Sequence, residues 1–217
     1  FLFLKLEKLF LMMKSFNFTR LPEIIFHNGS LTKLPEIIQK YGENAVLVTG
    51  KTSFTGSEKG QKFLHSLKNQ GISYSHTTIS GEPSPAAIDK AVNKNKGKNL
   101  KVLVAIGGGS VMDAGKAISA MLAEEGSVKD FLEGVGQKQP SGEKIPFIAV
   151  PTTSGTGSEA TKNAVISEVG PEGFKKSLRH ENYVPDIALL DPELTLDCPQ
   201  DITAASGMDS FTQLTEA

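Results

Sequence analysis

The chain has 217 residues, 22% of them charged and 39% hydrophobic, with a formal net charge of −1 and a single cysteine. That is enough chain for one good-sized core, and the charge balance offers no electrostatic case for nucleic acid. Cys198 alone excludes an internal disulfide and suits a reducing compartment, so a cytoplasmic protein is expected.

Residues 1–17 read as an extension and N-terminal segment. FLFLKLEKLFL precedes Met12 and Met13, a natural start. Lys5, Glu7 and Lys8 break the apolar run of about seven residues that a secretory signal needs. No stretch approaches the roughly 18 apolar residues of a membrane span, so no membrane partner is expected.

From Phe18 the pattern alternates. Residues 23–26 read as a strand, and Ser30 is placed to cap a helix over 31–41 that Gly42 closes. Strands follow at 45–49 and 72–78 with a helix at 56–70 between them, and a helix at 84–95 leads to the strand at 102–106. A helix opening near Ser110, a short helical turn at 127–132 and a strand at 147–150 come next. Residues 163–168 and 174–178 form a hairpin around Gly170–Gly173, and 187–190 returns as a strand. Strands that alternate with helices of ten or more residues predict an α/β fold, Rossmann-like, with a doubly wound, mostly parallel sheet. Asp191-Pro192 and Cys198-Pro199 punctuate a linker, and residues from Ala204 read as helix. The expected domains are therefore an α/β unit over 18–198 and, over 199–217, the first part of an all-helical second domain that the chain holds only in truncated form.

Two stretches carry chemistry. In KVLVAIGGGSVMDAGKA, residues 101–117, an apolar strand breaks into Gly107, Gly108 and Gly109 and then into Ser110, an N-cap type, ahead of helical spacing. The glycines are expected to let the backbone pass through positive φ and to keep side chains away from a ligand. A helix that opens there aims free N–H groups and its positive dipole end at one point, an anion site suited to phosphate. Neither a G-x-G-x-x-G fingerprint, which Met112 breaks, nor a P-loop, which Ser110 and Ala117 break, is present. A glycine turn made only for close packing therefore stays open as a reading.

The second stretch is PFIAVPTTSGTGSEAT, residues 146–161, a buried-looking strand that ends in hydroxyls and glycines. By itself it could be a polar surface loop. Beside the first it places two anion-friendly loops at strand ends, as at the carboxyl edge of an open parallel sheet.

GGGSVMDAGKAIS, VPTTSGTGSEAT, PDIALLDPELT and AASGMD, in this order and at these distances, resemble the iron-containing (group III) alcohol dehydrogenases, which share their architecture with dehydroquinate synthase and glycerol dehydrogenase. The resemblance runs from about Phe18 to the last residue. It implies a metal-dependent oxidoreductase that transfers a hydride between NAD(P)(H) and a small alcohol, aldehyde or ketone, working as a homodimer. By that resemblance Gly107, Gly108, Gly109 and Ser110 cradle the pyrophosphate with Asp113 behind them. Thr152, Thr153 and Thr156 line the nicotinamide and its ribose, and Lys176 reaches the cofactor's ribose. Ser84 stands where many members carry an asparagine near the adenosine.

Members that prefer NAD(H) tend to end the second strand in an aspartate that binds the ribose 2′-OH and repels a 2′-phosphate. Here the strand ends in Gly50, followed by the donors Lys51, Thr52 and Ser53. NADP(H) is accordingly expected ahead of NAD(H). The family's divalent metal, Fe²⁺ or Zn²⁺, is held by an aspartate, a histidine four residues on, and two histidines far downstream. Asp209 fits the first place, but Gln213 stands in the second, and a neutral amide oxygen is a poorer ligand for such ions than imidazole. His27, His65, His76 and His180 lack ligand spacing. Weak or no metal binding and no turnover by this stretch alone are therefore expected. A nucleotide-binding fragment without catalysis, a nonredox relative of the dehydroquinate synthase type, and a relative of the glycerol dehydrogenase type remain as alternatives.

Overall fold

The computed structural model describes residues 20–216. The expectations for residues 1–17, for the first two residues of the α/β unit and for Ala217 lie outside the described residues. The strands are β1 (Glu23–Phe26), β2 (Asn44–Gly50), β3 (Ser73–Ile79), β4 (Val102–Gly107), β5 (Phe147–Pro151), β6 (Asn163–Glu168), β7 (Phe174–Arg179) and β8 (Ile187–Leu190). The α-helices are α1 (Leu34–Gln39), α2 (Glu58–Asn69), α3 (Pro85–Asn95), α4 (Gly109–Met121) and α5 (Gln200–Glu216). No helix among the described residues is long and apolar enough to cross a membrane.

Six strands form one sheet in the order β1-β8-β5-β4-β2-β3, and every neighbouring pair is parallel. The chain runs outward from β2 to β3, crosses back to β4 and proceeds to β5 and β8, so the direction of winding reverses between β2 and β4. That gap, at the carboxyl ends of the strands, is where doubly wound sheets take their ligands.

Alternation along the buried strands supplies both faces. Val46, Val48, Leu103, Ala105, Phe147 and Ala149 pack with Ile88 and Val92 of α3 and with Met112, Ala114 and Ile118 of α4. Leu47, Val102, Val104, Ile106 and Ile148 face the other way, toward Leu34 and Ile38 of α1 and Phe63 and Leu67 of α2. A methyl group at Gly115 would stand 2.6 Å from the Ala105 Cβ and 2.9 Å from the Phe147 ring, so glycine there lets α4 lie directly on the sheet. The antiparallel ribbon β6-β7 covers α4 from outside through Ala164, Ile166 and Leu178. Helix α4 is therefore sandwiched, which is why nearly all its residues beyond the first turn are buried.

Five local expectations are corrected. The helix expected over 31–41 opens as a 3-10 turn, Ser30–Lys33, and becomes α-helical only where Pro35 sets its first turn. Ser30 does not cap it, and its Oγ is buried without a partner. Asp191, remote in sequence, takes the N–H groups of Gly29 at 2.9 Å and Leu31 at 3.0 Å instead. None of Gly107, Gly108 and Gly109 has a positive φ. The N-cap of α4 is Gly108, in extended conformation, and Ser110 lies inside the first turn. The last helix begins at Gln200, and the apolar side chains of Met208, Phe211 and Leu214 along it are exposed.

Candidate functional site

Three loops meet at the carboxyl edge of the sheet: residues 80–84 after β3, 107–109 after β4 and 152–161 after β5. The glycines have a use that positive φ does not explain. A methyl group at Gly108 would come 3.3 Å from Thr153 Cγ2, and one at Gly109 would come 2.8 Å from Thr156 Cγ2 and 3.1 Å from its Oγ1. Thr152 N–H donates to the Gly107 carbonyl at 2.9 Å. The absent side chains thus make room for the threonine loop, and the two loops interlock over the first turn of α4, whose N–H groups have no partners within the helix.

Two hollows flank this lock. One, of about 370 Å³, has Gly109, Ser110, Asp113 and Thr156 on its walls, with Asp209 and Gln213 of α5. The other, of about 310 Å³, has Gly108, Thr152 and Thr153 with Ser53 and Cys198. Ten of the expected residues therefore lie at, or in Gly107 directly behind, one junction.

Gly50, Lys51, Ser84 and Lys176 line neither hollow. Ser84 is engaged as the N-cap of α3, its hydroxyl accepting from Ala87 N–H at 3.3 Å. Lys176 lies on the face of β7 that carries Phe174 and Leu178, and its Nζ sits against Gly134, 3.5 Å from where a methyl group there would be. Its neighbour Lys175 points the other way, into the larger hollow, and pairs with Glu82 at 2.5 Å. Strand alternation carried that distinction, since Leu178 marks the core face two residues from Lys176.

Glu82, Thr161, Asn163 and Lys175 are wall residues that the sequence reading missed, and Ser158, one of the hydroxyls of the second stretch, stands beside them. Ser167 N–H donates to the Pro83 carbonyl at 2.9 Å and Ser167 Oγ to Glu82 at 2.5 Å, which fastens the β6-β7 ribbon to the loop after β3. Ser158 Oγ donates to Asp113 Oδ1 at 2.6 Å. Burial pushes the Asp113 carboxyl above the usual carboxylate range, while Ser158, Lys116 and Lys175 act the other way. Lys116, one turn on, is fully buried, and burial pulls its ammonium down to about 8 against the pull of Asp113 and Glu159.

Asp209 and Gln213 share one face of α5, but Gln213 Nε2 donates to Asp209 Oδ1 at 3.1 Å and toward the Gly155 carbonyl at 3.4 Å. No group of three or more histidine, cysteine, aspartate or glutamate side chains among the described residues could hold a metal ion. One carboxylate and one amide do not make a coordination sphere for Fe²⁺ or Zn²⁺, and no chemical step is routed through an ion here.

Comparison with known proteins agrees with this architecture. The chain is 31% identical over 190 residues to long-chain-alcohol dehydrogenase 1 of Geobacillus thermodenitrificans, covering 87% of this chain and 47% of that protein. It is 29% identical over 202 residues to the NAD-dependent methanol dehydrogenase of Bacillus methanolicus, covering 93% and 52%. Among solved structures, the NADH-dependent butanol dehydrogenase A of Thermotoga maritima matches with a TM-score of 0.83 at 27% identity, over 94% of this chain and 51% of that one. The sulfoacetaldehyde reductase of Bifidobacterium kashiwanohense, solved in complex with NAD⁺, matches with a TM-score of 0.79 at 28% identity, over 91% and 51%. The chain spans about half the length of these relatives. The family described as iron-containing alcohol dehydrogenase matches residues 22–192, and the chain belongs to it.

Proposed function

We propose that residues 18–198 are the nicotinamide-dinucleotide-binding domain of an alcohol dehydrogenase, that 199–217 open a helical domain, and that the whole protein moves a hydride between NAD(P)(H) and a small alcohol, aldehyde or ketone. The observation that carries this is the lock of Gly108 and Gly109 against Thr153 and Thr156 over the start of α4, at the point where the sheet's winding reverses. There the N–H groups of Gly109 and Ser110 and the helix dipole receive the diphosphate, and the Lys175–Glu82 ion pair bounds the same hollow from the opposite wall. Thr152 and Thr153 offer hydroxyls to the nicotinamide half. Gly107 forms the floor, and Asp113 orders Ser158 beside it. Lys176 and Ser84 have no place in this scheme.

For the cofactor, the family names support a nicotinamide dinucleotide and a divalent metal in the whole protein. Preference for NADP(H) rests on Gly50: no carboxylate stands at the end of β2 to repel a 2′-phosphate, and Lys51 is exposed beside it. The edge strand β1 leaves Ile24 54% and Phe26 70% exposed, which supports pairing with a second copy in a homodimer. A cytoplasmic setting is in keeping with the single free thiol.

Titrating the chain with NADH and NADPH tests the reading. Saturable quenching with tighter NADPH binding supports it, whereas no binding of either nucleotide removes it. A second reading, a nucleotide-binding unit without turnover, is supported by Gln213, whose amide is engaged with Asp209 and Gly155. Assays with small alcohols separate the two.

A further inference from the structure

We propose that Lys116 is a positioning residue for the candidate cleft: its buried ammonium clasps the loop after β5 onto helix α4 and so sets the wall that faces the cofactor. The proposal rests on the dinucleotide reading above and adds to it a residue that never reaches the ligand.

Lys116 is 1% exposed. Its Nζ donates to the carbonyls of Asn163 at 2.7 Å and Ser158 at 2.8 Å and to Thr161 Oγ1 at 2.9 Å, three acceptors for three N–H groups, with Ser158 Oγ at 3.4 Å. All three residues line the larger hollow, and Ser158 passes the restraint on to Asp113, a fourth wall residue. The clasp thus holds four residues of one wall from behind, Asn163 and Ser158 through their main-chain carbonyls and Asp113 by way of Ser158, while Thr153 and Thr156 lock the same loop to the glycines in front.

Burying a lysine in a helix otherwise packed with Ala, Ile and Met costs free energy unless every proton finds an acceptor. An apolar residue would fill the space but remove the short hydrogen bonds to the Ser158 and Asn163 carbonyls, to which Thr161 makes only long contacts of 3.4 and 3.5 Å. What the ammonium adds is the fixed geometry of the loop. Among the described residues, Asp113 of α4 and Glu159 in the 3-10 turn Ser158–Ala160 are the charged groups that act on it, and Lys175 of β7 acts on Asp113 in turn.

A neutral amine keeps two N–H donors for three acceptors. Even so, a loop that opens returns the lysine to water, where it holds its proton more tightly, so opening becomes harder as pH rises from about 8 toward 10.5. The test measures hydrogen exchange of residues 152–163 in the ligand-free chain, and NADH affinity by fluorescence, between about pH 6.5 and 9.5 for the wild type, Lys116→Met and Lys116→Arg. Wild-type loop protection, corrected for intrinsic exchange, should hold or rise between about pH 7 and 9.5. Lys116→Met should lose about tenfold in loop protection and in NADH affinity at every pH, and Lys116→Arg, which keeps N–H donors, should lose less of both.

Wild-type protection and affinity in Lys116→Met would overturn the proposal. If that variant does not fold, the wild-type series decides alone: loop protection that falls as pH rises through about 8 overturns it. Loop behaviour as expected without NADH binding by the wild type supports the clasp and removes the cofactor reading instead.

Discussion

Thr156 Cγ2 lies 2.8 Å from the point where a methyl group would project from Gly109. The glycine and the threonine are one fitted pair, although their loops are far apart in sequence. Gly109→Ala should therefore push the threonine loop away from α4, destabilise the chain by about 1–3 kcal/mol through overpacking and weaken nucleotide binding. Thr156→Ser removes the clashing methyl, so the double variant should recover part of both losses. A double-mutant cycle read by urea unfolding and NADH titration checks this, and strictly additive effects would contradict the fitted pair.

Asp191 is 4% exposed and receives the N–H groups of Gly29, Leu31 and Glu193. Asp191→Ala strands buried donors at the start of the first helix and at the turn after β8. The expected loss is about 3 kcal/mol of unfolding free energy with little change in the slope against urea. A loss under about 0.5 kcal/mol would mean that water replaces the carboxylate.

The pH dependence of stability follows from the same ammonium. Lys116 titrates near 8 in the folded chain and at 10.5 as the unperturbed amine. Between those values the unfolded chain binds more protons, so unfolding free energy should rise with pH across this window, by about 3 kcal/mol relative to Lys116→Met. Urea unfolding of both proteins at about pH 7.5 and 10 checks the difference, and parallel curves would contradict it.

Gln213 is predicted to keep metal affinity low. Zn²⁺ titrated into the wild-type chain should bind more weakly than micromolar, and Gln213→His, which sets imidazole four residues from Asp209, should tighten binding by about tenfold or more. Calorimetry reads both. A micromolar or tighter site in the wild type would overturn the prediction.

The fold was legible because its strands are short apolar runs bounded by Gly, Pro and polar residues; that Ser57 and Ser84 cap α2 and α3 came only with the structure. The junction was legible in the order of its two loops. Long-range polar contacts were not: nothing local says that Asp191 rather than Ser30 caps the first turn, since the carboxylate arrives from another strand. Two misses had signals. Lys116 stands four residues after buried Met112 and so shares its helix face, although a lysine there reads by composition as solvated. Lys175 and Lys176 were separable by the alternation of β7. The glycine turn showed a need for small residues, but the cause is Thr153 and Thr156, side chains contributed by a different loop.

The most direct test of the central claim is to determine where a dinucleotide binds, by backbone amide shifts of the chain titrated with NADPH. The account predicts the largest shifts at Gly108, Gly109 and Ser110, with Thr153 and Thr156 following along the same binding curve. Saturable binding that leaves those amides unmoved while perturbing another face of the sheet would contradict it.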